Sequence, residues 1–164
     1  MANYSFDIVS DYDKAEMNNA YQQAVRDIST RYDLRGTPAA IEWLDDKKGM
    51  RLIAANDMHL QAIIDMVTRA VIKRELSPKV LDFSKDPVTA NLKVTQEVPF
   101  IAGLDSDKAK QVSKLVRDTS PKLKPTIQGD AVRVVGSSKD GLQTAMQALR
   151  GAELDYPISF INFR

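Results

Sequence analysis

Lys122-Leu-Lys-Pro-Thr-Ile-Gln-Gly-Asp-Ala-Val-Arg-Val-Val135 is the stretch from which the fold can be read. Lys122 to Gln128 and Val132 to Val135 read as two strands pairing around Gly129-Asp130, a turn-forming dipeptide. Val132-Arg133-Val134-Val135, followed by Leu142-Gln143, echoes Met50-Arg51-Leu52-Ile53, followed by Leu60-Gln61, 82 positions earlier. A second echo links Asp11-Tyr-Asp13-Lys14-Ala15 to Asp105-Ser-Asp107-Lys108-Ala109, at an offset of 94. Short matches arise by chance, but these fall at equivalent places in one order of elements, which is how an internal duplication shows itself.

The element order supports the duplication. Ser5-Phe6-Asp7-Ile8-Val9 alternates as a strand. Asp13, with Glu16 three residues on, starts a helix whose apolar face runs through Met17, Ala20, Tyr21, Ala24, Val25, Ile28 and Tyr32 until Gly36 and Pro38. Ile41–Leu44 and Met50–Ala54 flank Asp45-Asp46-Lys47-Lys48-Gly49 as a hairpin. A second helix starts near Asp57, and Val80–Phe83 follows Ser77-Pro78 as a short strand. In the second half a strand at Leu92–Val98, a helix at Asp105–Asp118, the hairpin above, a helix through Leu142, Met146 and Leu149, and a strand at Ile158–Phe163 repeat the series. Each half is therefore β-α-β-β-α-β. The expectation is an α+β chain of two tandem ferredoxin-like domains, each a four-stranded antiparallel sheet with two helices on one face. The boundary falls near Asp86-Pro87, giving 1–86 and 87–164, with the first strand able to complete its own half or to pair across to the other. Pro125 suits an edge strand, because proline cannot donate to an interior ladder.

Composition narrows the function. The 164 residues include no cysteine and one histidine, so thiolate chemistry is excluded and a reducing compartment is expected. There is no basic segment leading into an apolar run at the start, and no apolar stretch of membrane-spanning length, so the expected place is the cytoplasm, away from membranes. The net charge of +1 licenses no general claim of nucleic-acid binding. Its distribution says more: residues 1–86 hold 12 Lys+Arg against 14 Asp+Glu, and residues 87–164 hold 11 against 8. Lys108, Lys110, Lys114, Arg117, Lys122, Lys124 and Arg133 face only Asp118 and Asp130 as opposing charges. That is the footprint of a phosphate-bearing partner, or of a solvated helix face beside a charged edge strand.

With helices over one sheet face, Leu92, Val94, Leu123, Ile127, Val132 and Val134 point inward by alternation. Lys93, Thr95, Lys122, Lys124, Thr126, Gln128 and Arg133 then share the uncovered face. The candidate nucleotide-binding residues are Lys93, Lys122, Lys124, Gln128 and Arg133, with phosphates held by charge and bases met by Gln128 and Arg133. A solvated polar face needs no ligand and is the competing reading. Aromatic stacking platforms are missing from Leu92–Val98 and Val132–Val135, which argues against the usual sequence-specific mode of RNA-recognition modules. Ser137, Ser138 and Lys139 open the last helix, where N-capping by Ser138 and phosphate binding compete as explanations.

Catalysis finds little support. His59 sits in a first helical turn without spaced partners for a triad or a metal, and Asp45-Asp46 belongs to a hairpin loop. Phosphate-loop, dinucleotide and nucleophile-elbow motifs are missing. The chain is expected to be no enzyme, to need no cofactor and to hold no metal.

Ser5-Phe6-Asp7-Ile8-Val9-Ser10, Arg31-Tyr32-Asp33, Ile127-Gln128-Gly129-Asp130 with Val132-Arg133-Val134, and Phe160-Ile-Asn162-Phe163-Arg164 closely resemble the YajQ family of bacterial proteins, essentially end to end. The resemblance implies tandem domains of RNA-recognition-like topology and binding of a nucleotide or nucleic acid, with transfer RNA and cyclic di-GMP as ligands. The alternative is a protein-interaction or regulatory adaptor role, with a regulatory protein as partner and nucleotide binding incidental. The chain departs from the family pattern at Leu34, at Ser137 in place of a lysine, and at Asp140-Gly141 in place of two aspartates.

Overall fold

The computed structural model describes residues 3–164. Among the described residues eight strands and four α-helices follow in order: β1 (Tyr4–Val9), α1 (Lys14–Thr30), β2 (Ala40–Trp43), β3 (Gly49–Ala54), α2 (Asp57–Lys73), β4 (Val88–Ala90), β5 (Lys93–Pro99), α3 (Ser106–Thr119), β6 (Lys124–Gln128), β7 (Ala131–Gly136), α4 (Lys139–Gly151) and β8 (Ser159–Ile161). They form two four-stranded antiparallel sheets, ordered β6-β7-β1-β8 and β2-β3-β5-β4. The chain is α+β, with two ferredoxin-like units.

The units do not divide at Asp86-Pro87. One comprises residues 1–11 and 102–164, and the other residues 12–101. The first strand thus completes the C-terminal unit, pairing Phe6 with Val134 and Asp7 with Arg133. The strand expected to open the second half, β5, instead lies beside β3 in the middle unit, pairing Arg51 with Glu97. Alternation marks a strand and its two faces but says nothing of its partner, so both assignments were compatible with the sequence. Val80–Phe83 is likewise no strand. Pro78–Val80 forms a 3₁₀ turn capped by Ser77, which buries Val80 and Leu81, and Leu81 makes a single bridge to Phe100. The fourth strand is β4, whose three residues are all exposed and therefore carry no hydrophobic signal.

In the C-terminal unit, Phe6, Ile8, Val132 and Val134 are completely buried beneath the helices. Burial of that kind contributes about 1.5–3 kcal/mol per large apolar side chain. Helices start where short polar side chains accept the free N–H groups of the first turn. Asp13 accepts from Glu16, Asn56 from His59, Asp105 from Lys108 and Ser138 from Gly141. Asp13 and Asp105 therefore play the same part, and the sequence echo that aligned Asp13 with Asp107 is out of step by two residues. The echo between Arg51 and Arg133 holds, since both stand mid-strand on β3 and β7. Gly129 turns the β6–β7 hairpin at φ +61°, a conformation glycine enters without strain. Among the described residues no helix is long and apolar enough to cross a membrane.

Candidate functional site

On β7, Val132, Val134 and Gly136 are buried while Arg133 is not, so Arg133 projects from the sheet face that the helices leave open. Register carries that face across the sheet. Thr126 and Asp7 stand on either side of Arg133, and Lys124 and Gln128 flank Thr126 at alternate positions of β6. Three of the candidate residues, Lys124, Gln128 and Arg133, are thereby brought to one face. Lys122 lies in the exposed turn just before β6, its N–H donating to Ser120 Oγ at 3.3 Å.

Arg133 is not a loose surface arginine. Its Nε donates to Asp7 Oδ1 at 2.9 Å and its Nη2 to Asp7 Oδ2 at 3.4 Å. Asn162 Nδ2 donates to the same Oδ2 at 2.8 Å. Asn162 reaches Asp7 because β8 ends in a bulge: Ile161 faces Asp7 and Arg164 bonds to Ser5, so Asn162 and Phe163 together span the single residue Phe6. Asn162 carries the strain at φ +56°. The Asp7 side chain is 11% exposed and that of Arg133 35%. Hydrogen bonds from Arg133 and then Asn162, with the charges of Arg133 and Arg164, hold the Asp7 carboxyl below its ordinary value of 3.8 against the opposing effect of burial. Hydrogen bonding to Asp7 and its charge raise the Arg133 guanidinium in return. Asp7 thus fixes the arginine's direction with two of its five N–H donors and leaves the rest for another partner.

The matching arginine of the other unit is placed differently. Arg51 lies between Glu42, at 3.3 Å, and Glu97, at 3.5 Å, and Lys85 also reaches Glu97 at 3.3 Å. Lys93 belongs to this second sheet, opposite Ala90 on β4, and is not on the face that carries Lys124 and Arg133. The expectation grouped it there because β5 was read as that sheet's first strand. Leu92, expected inward, is 93% exposed at the β4–β5 turn, where it takes a φ of +62°. Ile127 is inward by register with Val132, yet edge-strand β6 leaves it half exposed. Val94, Leu123, Val132 and Val134 are buried as expected.

The remaining basic residues divide by element. Lys108, Lys110, Lys114 and Arg117 stand on α3, away from the open sheet face. Lys108 caps the Tyr156 ring at 5.1 Å. With the units as observed, the C-terminal one holds 10 Lys+Arg against 9 Asp+Glu and the other 13 against 13. The basic character is therefore local to particular surfaces. Ser138 is an N-cap, accepting from Gly141 N–H at 3.0 Å. Among the described residues no group of three or more His, Asp or Glu side chains is arranged to hold a metal.

Sequence reasoning missed Asp7 and Asn162, because their role depends on β1 entering the C-terminal sheet. The aromatic side chains of this unit divide between core and surface. Phe6 is core, with Phe160 edge-on to it at 5.4 Å, but Phe163 is 61% exposed. A cavity of 320 Å³ opens beside Phe163, between the first turns of α4 and the ends of β1 and the C-terminal strand.

A model of the family described as "Nucleotide-binding protein YajQ-like" matches residues 4–164. The chain belongs to this YajQ-like family. A relative from Synechococcus sp. (strain JA-2-3B'a(2-13)), named "Nucleotide-binding protein", is 44% identical over 163 residues, covering 98% of each chain. Relatives of the same name from Trichormus variabilis, 40% identical over 98% of each chain, and from Mycolicibacterium gilvum, 39% identical over 100% of each, are similar throughout. The match covers both units.

Proposed function

We propose that this chain binds a phosphodiester-containing ligand, RNA or a cyclic dinucleotide, in the cytoplasm and without chemical turnover, through the open sheet face of the C-terminal unit. The observation that carries this reading is the Arg133–Asp7–Asn162 cluster with Lys124 two strand positions away on the neighbouring strand. An arginine already oriented by a buried carboxylate loses little freedom on meeting a phosphate or a guanine edge, and it can meet either with two parallel hydrogen bonds. Lys124 and Lys122 add charge along the edge strand, where a ligand backbone has room to run. Thr126 and Gln128 offer neutral donors and acceptors between them. Names of the relatives, nucleotide-binding proteins, agree with this chemistry.

With no aromatic among the described residues of that face, binding there rests on charge and hydrogen bonds, so it should weaken steeply with salt and show little sequence preference. Calorimetric titration with transfer RNA, single-stranded RNA and cyclic di-GMP at increasing ionic strength tests the reading. Affinity that falls linearly on a log–log plot, with no loss of intact ligand over hours, is the expected outcome. Salt-independent binding, or release of hydrolysis products above a heat-killed control, would contradict it.

A further inference from the structure

The cavity beside Phe163 brings aromatic, apolar and cationic side chains together. Its volume, 320 Å³, lies at the low end of the roughly 300–1,000 Å³ that small-molecule clefts span, enough for a single base with its sugar. Leu142 and Met146, both buried, reach it from α4 and supply an apolar floor. Phe163 forms a wall. Its ring stacks on Phe6 at 6.2 Å with an interplanar angle of 28°, so one face rests on the core. With 61% of the residue exposed, the other face is open to a ligand. An anchored ring with one free face is what a stacked base requires, because it offers contact area without first having to be ordered.

The polar rim completes the fit. Gln143 stands one position beyond Leu142 on α4 and has an amide donor and acceptor for a base edge. Lys139, in the first turn of α4, holds its ammonium 5.3 Å from the Tyr4 ring, and Arg164 lines the same cavity. Two cations in the same lining would receive a phosphate while the base lies against Phe163. Asp140, the carboxylate of that first turn, is not part of the lining.

We infer that the cavity bounded by Phe163, Tyr4, Lys139, Gln143 and Arg164 is a separate binding site for a nucleobase carrying one phosphate, stacked on Phe163 with its phosphate at Lys139 and Arg164. None of Lys122, Lys124, Gln128 or Arg133 lines this site, although the charge of Arg164 also reaches Asp7. Either a free nucleoside monophosphate or the phosphorylated end of an RNA presents this chemistry.

The test is titration of the intact chain with 5′-AMP and 5′-GMP, and with a short single-stranded RNA with and without a 5′-phosphate. Phe163→Leu keeps an apolar cover over Phe6 while removing the flat ring, and Phe163→Tyr restores the ring. The expected result is binding of a mononucleotide, or of the phosphorylated RNA in preference to its unphosphorylated twin. That binding falls by about fivefold or more in Phe163→Leu, recovers in Phe163→Tyr and weakens in Lys139→Ala. It persists in the Lys122→Ala, Lys124→Ala, Arg133→Ala triple variant, which separates this site from the open sheet face. If neither mononucleotide binds and the 5′-phosphate makes no difference, the inference is overturned, even where RNA still binds through Arg133. Equal affinity in wild type and a folded Phe163→Leu variant overturns it as well.

Discussion

Arg133 and Arg51 stand at the same position of two copies of one unit, mid-strand on the open face of a four-stranded sheet, yet their surroundings differ. Arg51 has a glutamate on each neighbouring strand, and a lysine shares one of them, so two cations face two carboxylates on an exposed surface. Arg133 has one carboxylate, Asp7, which is nearly buried and shared with a neutral asparagine. On its other side Thr126 stands where Glu42 stands in the copy, and Lys124 lies close by. The first arrangement neutralises its arginine, whereas the second aims it. A repeated residue is thus informative about function only together with the strands beside it, one of which, β1, comes here from the far end of the chain.

The comparison can be broken most severely at the strand that builds it. Phe6→Ala, which empties a fully buried site on β1, should cost about 3–5 kcal/mol. Because β1 belongs to the C-terminal unit, hydrogen exchange should accelerate in α3, β6, β7 and α4 while α2 and β3 keep their protection. Equal loss in both units, or loss confined to α1 and β3, would overturn the assignment of β1.

A smaller effect separates the two carboxylates. Asp7 has a folded-state pKa below its unfolded value, so its contribution is fully present above about 3.8 and is lost as pH falls through the depressed value. Asp7→Asn should lower the melting temperature at neutral pH and flatten the acid side of the stability curve below that point. Glu97 is also held low, first by Lys85 and then by Arg51, but it is exposed and its pairs are screened by solvent and salt. Glu97→Gln should leave the melting temperature near that of the wild type. Matching acid profiles in wild type and Asp7→Asn would show that the cluster contributes nothing to the fold.

What could be read from the sequence follows from what local patterns encode. The period of two in Val132–Val135 and Met50–Ala54, the helix caps at Asp13 and Ser138 and the turn at Gly129 are local, and each was legible. Strand partnership is not local. Phe6 and Ile8 alternate with Asp7 in a way that suits either sheet, and Val94, Gln96 and Val98 of β5 suit either as well. The misplacement of Lys93 and the omission of Asp7 and Asn162 both follow from that one ambiguity. β4 left no trace because its residues are exposed, and the bulge at Asn162 could not be foreseen from an asparagine near the end of a strand. The charge contrast between halves was equally a product of the cut: moving Asp7 and Asp11 into the C-terminal unit nearly abolishes it.

Binding should divide the two arginines. Arg133→Ala is expected to lower RNA or cyclic dinucleotide affinity about tenfold, as for loss of a bidentate contact, whereas Arg51→Ala leaves it unchanged. Comparable losses in both would mean that the paired glutamates do not disable Arg51. Lys124→Ala should have the mildest effect, reducing the log–log salt slope by about 0.7 with single-stranded RNA, while Lys93→Ala leaves the slope as it was.

The central claim is that the open face around Arg133 carries the ligand's phosphates, and salt titration of RNA binding in the Lys122→Ala, Lys124→Ala, Arg133→Ala variant tests it most directly. Circular dichroism should first show the wild-type fold, since all three side chains lie at the surface or project from an open face. The account predicts weakened binding with a log–log slope reduced by about 2, the sum expected for three lost phosphate contacts on a single strand. A folded triple variant that binds RNA with wild-type affinity and wild-type slope would contradict it.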